Sequence, residues 1–452
     1  MTTADRQWLS DRVRESLADI PVQSVAEWCR ANLTFDEASN HGPFETAGRE
    51  YVCEVLEDFK SSAVSDEVLV WGSQSRKTGT LMGGMAWTLA NDPCGVLWVM
   101  PSITLAKKFS RQRWKRMIEA SPVTAALIPS GGMSRHDFVT LEQRLGSSTV
   151  NFVGSNAAAN LASNPCRRVI MDEVDKFADA RGGEADAVTL AEQRTKDQPS
   201  PQRWKTSTPT VAEGLIWQEF LKGDQRRYFV PCPNCGGEIV LAWSKDFTTF
   251  KLLGNEAFIC WDKEAKRQDG SWNLERVERS AHALCPHCQA RIRDDAKTMM
   301  VRQGKWKPTS AEAKTSFVSR HLPSMYAASP ETTFGKLAVK FLQSVDKLGF
   351  IGGDLAEPYI GQDRGRQRVE LVSRMLDTDG AQKLLTVDCQ AKSPHFWYVV
   401  RAWKDGDSEA VEAGHADAWE DIAAIQERHG LNSPAVFIDS GYGAKDDAEV
   451  YR

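Results

Sequence analysis

The sequence predicts an α/β protein in two parts, a larger one with a mainly parallel sheet and a smaller one near the C-terminus. Short apolar runs rich in Val and Ile alternate with longer amphipathic stretches, and they lie at 67–71, 94–100, 149–154 and 167–171. Runs of this kind, bounded by Gly, Pro and Asn, are typical of strands that are buried on both faces and connected by helices. A second series of strand patterns begins at residue 384 and indicates the smaller α/β part.

Length and composition exclude several classes of protein. The chain has 452 residues, which corresponds to about three domains at roughly 150 residues each. Its hydrophobic fraction of 41% and charged fraction of 26% exclude wholesale disorder. No apolar run approaches the ~18 residues of a membrane span, and the first residues lack the apolar region of a signal peptide. We therefore expect a soluble, cytoplasmic protein with no membrane partner.

Cysteine content and charge restrict the compartment and the partners further. Ten cysteines are too few for a disulfide scaffold in a chain of this length, which favours a reducing compartment. A net charge of −5 gives no overall affinity for nucleic acid, so a DNA partner would have to be bound by local basic patches.

A candidate phosphate-binding loop follows the first of these strands. The strand at 67–71 runs into the loop from Gly72 through Gln74 to Lys77 and Thr78, and a helical pattern follows. Backbone N–H groups and the helix N-terminus would hold phosphates, Lys77 would neutralise the β and γ oxygens, and the Thr78 hydroxyl would bind Mg²⁺. The glycine that normally precedes the lysine is Arg76 here, and a basic turn before a helix is the alternative interpretation.

Two further strand ends carry groups that suit nucleotide hydrolysis. Asp172 and Glu173 end the strand pattern at 167–171; the first acid can coordinate Mg²⁺ through water, and the second can polarise the attacking water. An acidic helix cap is the alternative. Downstream, Ser207, Thr208 and Thr210 place hydroxyls at another strand end, where they could sense the γ-phosphate. Three such elements in this order predict an ATPase.

The segment at 107–116 carries six basic residues in ten on a predicted helix. Arg111, Arg113 and Arg116 are candidates either for a contact with the DNA backbone or for an arginine finger that reaches the nucleotide of a neighbouring subunit. A solvated helix face is the alternative.

Two C-x-x-C knuckles, separated by 49 residues, predict a metal site. Their thiolates would give a closed, structural Cys₄ zinc site with the ligands Cys232, Cys235, Cys285 and Cys288. The gap exceeds the usual 15–20 residues, so the stretch between the knuckles is an inserted excursion. Reduced cysteines of a relict site, or a ligand set that includes Cys260 or His287, are the alternatives.

Two carboxylates near the C-terminus lie on predicted strands 51 residues apart. Asp388 lies inside an apolar strand, where burial of a carboxylate is costly unless it binds a cation. Asp439 ends another strand. The layout of strand acid, hairpin, helix and strand acid predicts a two-metal nuclease of the ribonuclease H type, which uses Mg²⁺ or Mn²⁺. A strand-end Asp that caps a turn is the alternative, and it is stronger for Asp439.

The chain from about 25 to 452 resembles the large terminase subunit of tailed bacteriophages, of the lambda type, in which a packaging ATPase is fused to a nuclease. The matching stretches are GSQSRKT (72–78), VLWVMPS (96–102), RRVIMDEVDKF (167–177), TSTPT (206–210), GDQRRYFVPCPNCGG (223–237), TVDCQ (386–390) and VFIDSGYG (436–443). The phrase from GDQRRYF into the first knuckle is the most specific, because generic ATPases have nothing like it.

The resemblance implies roles for the residues already singled out. Lys77 and Thr78 would bind ATP, Asp172 would hold Mg²⁺, and Glu173 would be the hydrolytic acid. Ser207, Thr208 and Thr210 would couple hydrolysis to movement, and Asp388 and Asp439 would be nuclease metal ligands. Arg76 departs from the family pattern, so we expect a distorted loop or weaker binding of ATP. The resemblance implies that the third nuclease acid lies beyond residue 452. The last residues read as the middle of a helix, so we expect the sequence to be truncated.

The resemblance also implies an organisation and a set of partners. The predicted regions are a helical segment (1–60), an ASCE-type P-loop ATPase core (61–222), a zinc-knuckle region (223–310), a completion of the ATPase with a linker (311–382) and an incomplete ribonuclease H-like nuclease domain (383–452). The implied partners are double-stranded DNA, a small terminase subunit, the portal of a procapsid and further copies in a ring, in the cytoplasm of an infected bacterium.

Two other functions are compatible with parts of the sequence. A superfamily 2 helicase or translocase is suggested by the acid pair and by the segment at 361–368, GQDRGRQR, which comes near a helicase arginine motif. The knuckles and the acids after residue 384 argue against it. A non-catalytic, zinc-dependent DNA-binding or scaffold protein with a dead phosphate loop is the other alternative, and Arg76 is its best argument.

Overall fold

The structure, a computed structural model, describes residues 23–37, 40–129, 139–157, 161, 165–177, 185–310, 313–345, 347–359, 380–389, 396–404 and 407–438. The chain divides into two compact units, residues 1–361 and 362–452. Among the residues in these ranges, no helix is both long enough and apolar enough to cross a lipid bilayer.

The first unit begins with elements that surround the predicted phosphate loop. In chain order they are α1 (Val25–Asn32), β1 (Thr34–Glu37), β2 (Asn40–Pro43), α2 (Tyr51–Asp58), β3 (Asp66–Trp71), α3 (Lys77–Asn91), β4 (Val96–Met100), α4 (Ile103–Phe109), a π-helical turn (Ser110–Trp114), α5 (Lys115–Ala120), α6 (Pro122–Ala125), β5 (Glu142–Leu145) and β6 (Ser148–Gly154).

The rest of the first unit contains the acid pair, the hydroxyl-rich strand and the cysteines. Its elements are β7 (Arg168–Asp172), α7 (Ala187–Gln193), β8 (Gln202–Ser207), α8 (Leu215–Lys222), β9 (Arg226–Pro231), β10 (Glu238–Ala242), β11 (Glu256–Cys260), α9 (Leu274–Ser280), β12 (His282–Leu284), β13 (Arg291–Ile292), α10 (Lys297–Arg302), β14 (Lys305–Lys307), β15 (Phe317–Leu322), α11 (Phe334–Gln343), α12 (Leu348–Phe350) and a second π-helical turn (Ile351–Leu355).

One large sheet organises the first unit. Its described strands number 13, in the order β13-β12-β11-β10-β9-β15-β3-β8-β7-β4-β6-β5, with β14 beside β9. The seven strands from β9 to β6 in that order are parallel to one another. Every residue of β3, β4 and β7 is buried, which confirms the expectation of strands covered on both faces.

The N-terminal region differs from its helical prediction. Helices α1 and α2 are present, but β1 and β2 form an antiparallel hairpin between them. Phe35 and Glu37 are buried while Thr34 and Asp36 are half-buried, and this alternation is the period of a strand. Four residues are too few for the pattern to be recognised beside the Gly-Pro break that follows.

The cysteine region continues the same sheet. Strand β9 pairs with β15 on one side and with β10 on the other, and β11, β12 and β13 follow outward from β10. The 49-residue gap between the knuckles is therefore filled by three strands and a helix, which extend the sheet of the first unit.

The second unit is a small α/β arrangement. Its elements are β16 (Gln382–Cys389), β17 (Phe396–Lys404), β18 (Asp407–Ala416), α13 (Trp419–Arg428) and β19 (Val436–Ile438). The strand order is β18-β17-β16-β19, and β16 is antiparallel to β17 but parallel to β19. Leu385, Val387 and Val400 share one buried cluster with Ile422 and Ile425 of α13, so the helix covers one face of this sheet.

Candidate functional site

The predicted phosphate loop lies between the end of β3 and the start of α3. The Gly72 N–H donates to the carbonyl oxygen of Leu322 at 2.8 Å, and the Ser73 N–H donates to that of Gly353 at 2.6 Å. A Cβ on Gly72 would lie 2.5 Å from Ser324 Oγ and 2.8 Å from the Asp354 carbonyl oxygen. Any larger residue would therefore displace the loop from its two supports.

Arg76 adopts a backbone conformation that normally favours glycine. Its φ is 62°, and Gln74 has a φ of 64°, so both lie in the left-handed region. The Arg76 guanidinium lies over the rings of Phe35 and Phe44 in the N-terminal hairpin. Its Nη1 donates to the Glu45 carbonyl oxygen at 2.9 Å. The arginine thus keeps the backbone geometry of the missing glycine while its side chain packs on the hairpin.

Lys77, the first residue of α3, faces the acid pair from a buried position. Its Nζ lies 3.6 Å from Glu173 Oε1 and donates to the Trp71 carbonyl oxygen at 3.2 Å. Burial lowers the pKa of Lys77, although the charges of Glu173 and Asp172 oppose this. For Glu173, burial by itself would raise the pKa, but the ammonium groups of Lys77 and Lys176 bring it below its usual value. Glu173 is therefore ionised at neutral pH.

Asp172 and Thr78 meet beside this pair. The Thr78 hydroxyl donates to Asp172 Oδ2 at 3.3 Å. Burial, followed by the nearby charge of Glu173, raises the pKa of Asp172 to about 6. Asp172 Oδ1 is buried and accepts no hydrogen bond from any described residue. A buried carboxylate oxygen without a partner beside a hydroxyl fits a magnesium ligand set.

The hydroxyl-rich strand lies between the other two elements. Strand β8 separates β3 from β7 in the sheet, so the three carboxyl ends lie side by side. We call residues 207–214 the coupling loop and residues 172–177 the acid turn. Ser207 Oγ donates to the Thr208 carbonyl oxygen at 2.9 Å, and Thr210 Oγ1 donates to Asp175 Oδ2 at 2.8 Å. Sequence reasoning missed Asp175, whose only signal was its position three residues after Asp172.

The basic segment packs against the N-terminal hairpin. Arg113, in the first π-helical turn, donates from Nε to Glu37 Oε2 at 2.9 Å, and Arg116 donates to Asp36 Oδ2 through two nitrogens. Arg111 is exposed. Burial raises the pKa of Asp172, and the charge of Arg113 offsets part of that rise, so this arginine lies close enough to influence Asp172.

The four knuckle cysteines come together as one cluster. Their Sγ atoms all lie within 4.8 Å of one another, and the pairs Cys232–Cys288 and Cys235–Cys285 are each 3.9 Å apart. A tetrahedral zinc ion with Zn–S bonds of about 2.3 Å holds its sulfurs about 3.8 Å apart. The cluster therefore has the dimensions of a zinc site.

The contacts around the cluster separate it from the two alternative ligands, His287 and Cys260. The amide of Asn234 donates to Cys288 Sγ at 3.4 Å and, as the largest influence, lowers the pKa of that thiol to about 6. His287 Nε2 instead contacts the Glu238 carbonyl oxygen at 3.0 Å, and the Cys260 thiol donates to the Phe258 carbonyl oxygen. Neither alternative ligand belongs to the cluster.

Asp388 is not buried, and the sequence argument from the cost of burial was wrong. Leu385, Val387 and Cys389 of β16 are buried, whereas Thr386 and Asp388 alternate with them on the exposed face. Asp388 lines an open cavity of 720 Å³ together with Trp397, Tyr398, Gly414 and Phe437. The Asp388 side chain is therefore exposed at this cavity. Asp439 and the segment at 361–368 lie outside the described residues.

Comparison with known proteins gives a consistent set of relatives. Residues 38–306 match the family model described as "Phage terminase large subunit gpA, ATPase domain". The terminase large subunit of Enterobacteria phage P21 is 22% identical over 237 residues, which cover 52% of this chain and 37% of that protein. The corresponding protein of Escherichia phage lambda is 24% identical over 236 residues, with coverages of 51% and 36%. The match thus spans little more than a third of the length of these relatives.

Two solved structures resemble the chain at low identity. The large terminase ATPase domain of Thermus phage P74-26 is 13% identical, with a TM-score of 0.39, and the match covers 70% of this chain and 94% of that one. The HK97 bacteriophage large terminase is 12% identical, with a TM-score of 0.41 and coverages of 92% and 74%.

Proposed function

Because the chain belongs to the phage terminase large subunits of the gpA type, we propose that its first unit hydrolyses ATP to drive double-stranded DNA into a procapsid. The observation that carries this proposal is that Lys77 and Thr78, which follow β3, meet Asp172 and Glu173 at the end of β7. Lys77 Nζ is 3.6 Å from Glu173 Oε1, and Thr78 Oγ1 is 3.3 Å from Asp172 Oδ2. An additional strand, β8, between β3 and β7 fits the ASCE type of P-loop ATPase.

Each residue has a chemical role in this proposal. The N–H groups at the start of α3 and the Lys77 ammonium would hold the phosphates. Thr78 and Asp172 would hold Mg²⁺, which supplies neutralisation of the charge that develops on the phosphate oxygens. Ionised Glu173 would orient and polarise the attacking water. In the state described, Lys77 is paired with Glu173, so bound phosphates would compete with Glu173 for the lysine.

We propose that the coupling loop transmits the conformational change that ATP hydrolysis causes. Ser207, Thr208 and Thr210 follow β8, the strand next to both nucleotide-binding strands. The partners would be DNA, a small terminase subunit and the portal, with copies of the chain in a ring in the host cytoplasm. Arg111 is exposed and is our preferred candidate for a DNA contact or an arginine finger, because Arg113 and Arg116 are engaged by the hairpin.

The cysteine cluster is proposed to hold one structural zinc ion. Sulfur separations of 3.9 Å in two pairs support it. Zinc would join the turn after β9 to the strand pair β12–β13, and it would leave no open coordination position for catalysis.

The second unit is proposed to be the ribonuclease H-like nuclease, with Asp388 as a ligand for Mg²⁺ or Mn²⁺. An exposed carboxylate in an open cavity supports this role. The parallel pairing of β16 with β19 also supports it, because the register places Val387 beside Ile438, and Asp439 follows Ile438 in the sequence.

The motor is tested by steady-state ATP hydrolysis with and without double-stranded DNA, in this chain and in Glu173→Gln. We expect Mg²⁺-dependent turnover, stimulated by DNA, that falls by at least about 100-fold in the variant. Equal rates in the two proteins would contradict the proposal.

A further inference from the structure

We propose that Asp175 is a positioning residue through which the coupling loop follows the acid turn that carries Glu173. The inference deepens the proposed ATP-driven function and rests on it. Residues 172–177 and 207–214 belong to different loops, and Asp175 joins the first to the second and to the helix α8 that follows it.

The carboxylate of Asp175 binds both Thr210 of the coupling loop and the first turn of helix α8. Its Oδ2 accepts hydrogen bonds from the Thr210 N–H and the Thr210 hydroxyl, each at 2.8 Å. Its Oδ1 accepts a hydrogen bond from the Ile216 N–H at 2.7 Å. Hydrogen bonds to a charged acceptor are roughly twice as strong as neutral ones, so this side chain can transmit a displacement.

Asp175 also replaces the missing cap of helix α8. The N-cap residue of that helix is Gly214, which offers no side-chain hydrogen bond. A Cβ at Gly214 would lie 2.7 Å from Asp175 Oδ2, so the aspartate occupies the space of an N-cap side chain. A cap normally comes from the helix's own sequence; here the acid turn supplies it and thereby fixes the direction of α8.

A hydrogen bond from the Asp175 backbone also joins the acid turn to Ser207, at the start of the coupling loop. The Asp175 N–H points to Ser207 Oγ at 3.4 Å. Asp175 lies in the single turn Val174–Lys176, directly after Glu173, which has a φ of 60°. A movement of Glu173 away from Lys77 when phosphates enter would rotate this short turn and carry Thr210 and Ile216 with it.

The coupling loop in turn contacts the end of the first unit. The Tyr359 N–H donates to the Thr210 carbonyl oxygen at 2.9 Å, and Val211 forms a parallel bridge with Tyr359. Asp175 thus binds Thr210, and Thr210 in turn binds Tyr359 in the last described segment of this unit. Such a chain of paired groups is a physical route between the nucleotide and residue 359.

The test uses Asp175→Asn and a matched control, Asp186→Asn. Asp186 also accepts hydrogen bonds from the N–H and hydroxyl of one threonine, Thr189, at 3.0 and 2.7 Å, but it caps α7 and does not contact the coupling loop in the described structure. Amide hydrogen exchange of residues 208–217 is measured with and without Mg²⁺ and a non-hydrolysable ATP analogue. Turnover is measured in parallel.

In the unaltered chain, we expect the analogue to slow exchange at residues 208–217. In Asp175→Asn, that exchange should be about tenfold faster and should not respond to the analogue. Its kcat should fall about tenfold with KM within about twofold of the unaltered value, whereas Asp186→Asn should keep both the response and the rate. Thr210→Val, which removes one of the three hydrogen bonds, should lose part of the same response even if Asp175→Asn is poorly folded.

A normal response in Asp175→Asn, or no response in the unaltered chain, would overturn the inference. The two proposals can fail separately. A response that depends on Asp175 in a chain whose turnover is unaffected by Glu173→Gln would retain the link and refute the ATPase. Turnover that needs Glu173, together with a response that survives in Asp175→Asn, would retain the ATPase and refute the link through Asp175.

Discussion

The guanidinium carbon of Arg76 lies 5.5 Å from the centroid of the Phe35 ring, and this contact accounts for an arginine in a loop position that usually holds glycine. A non-glycine residue at a φ of 62° is strained. The aromatic rings of the hairpin and the Glu45 carbonyl oxygen compensate by binding the side chain. The N-terminal hairpin therefore provides the contacts that stabilise the arginine at the position where the sequence departs from the family pattern.

Replacement of Arg76 should affect stability more than nucleotide binding. Arg76→Ala keeps the strained backbone but loses a cation–π contact and a hydrogen bond, so the free energy of unfolding should fall by about 1–3 kcal/mol. Arg76→Gly relieves the strain and should be about 1 kcal/mol less damaging. Denaturant unfolding of both variants checks this, and a more stable Arg76→Ala than Arg76→Gly would contradict it.

Lys77→Ala should weaken the binding of nucleotide. Lys77 is the buried ammonium that faces the phosphate loop and Glu173, so its loss should weaken ATP binding by at least about 2 kcal/mol, or roughly 30-fold. Lys176 is the matched control, because it is 59% exposed and also pairs with Glu173, at 2.9 Å. Titration with a fluorescent ATP analogue should show less than about a threefold change for Lys176→Ala. Equal effects of the two substitutions would rule out a special role for Lys77.

Binding of a divalent cation should weaken at acidic pH. Burial raises the pKa of Asp172 to about 6, and only the ionised form binds a cation. The affinity should therefore fall about fivefold from pH 6 to pH 5 and change little above pH 7. Glu173→Gln removes a negative charge that contributes to the raised pKa, so it should move the midpoint to lower pH. Mn²⁺ binding followed by EPR without nucleotide measures both effects, and a pH-independent affinity would refute the assignment.

Removal of zinc should unfold the cysteine region. We expect close to one zinc per chain by elemental analysis. Cys285→Ser should lose the metal and lower the free energy of unfolding by several kcal/mol, because the cluster closes a long excursion. Cys260→Ser, which changes a cysteine outside the cluster, should keep both zinc and stability. A metal-free chain with unchanged stability would refute the zinc site.

Metal-dependent DNA cleavage should depend on Asp388. In a chain that carries all of the expected nuclease acids, we expect Mn²⁺-dependent nicking of supercoiled plasmid, and this nicking should fall by at least about 100-fold in Asp388→Asn. Asp421→Asn is the control, since Asp421 lies in the first turn of α13 and bonds the Ala418 N–H. No nicking by that chain, or equal nicking by the two variants, would contradict the nuclease proposal.

Sequence reasoning succeeded where a functional residue comes directly after a strand, or where the spacing of residues identifies a site. Lys77 and Asp172 could be expected to meet because the carboxyl ends of parallel strands lie at one edge of a sheet. It failed for Asp388, because Leu384 and Leu385 made the strand look apolar on both faces, whereas alternate residues of β16 are exposed. Asp175 could not be found from sequence, since its partner Thr210 is 35 residues away in another loop.

The pairing of β3 with β15 has a consequence for the synthesis of the protein. The buried ion pair that crosses these strands joins Glu67 to Arg320, 253 residues later in the chain. At ribosomal speed, this separation corresponds to a delay on the order of tens of seconds, during which β3 has an open edge and Glu67 lacks its arginine. Chaperone capture or wrong strand pairing would compete with folding in that interval. A recombinant fragment cut at residue 306, where the family match ends, would keep that edge open permanently, so a fragment that closes it must extend at least through Leu322.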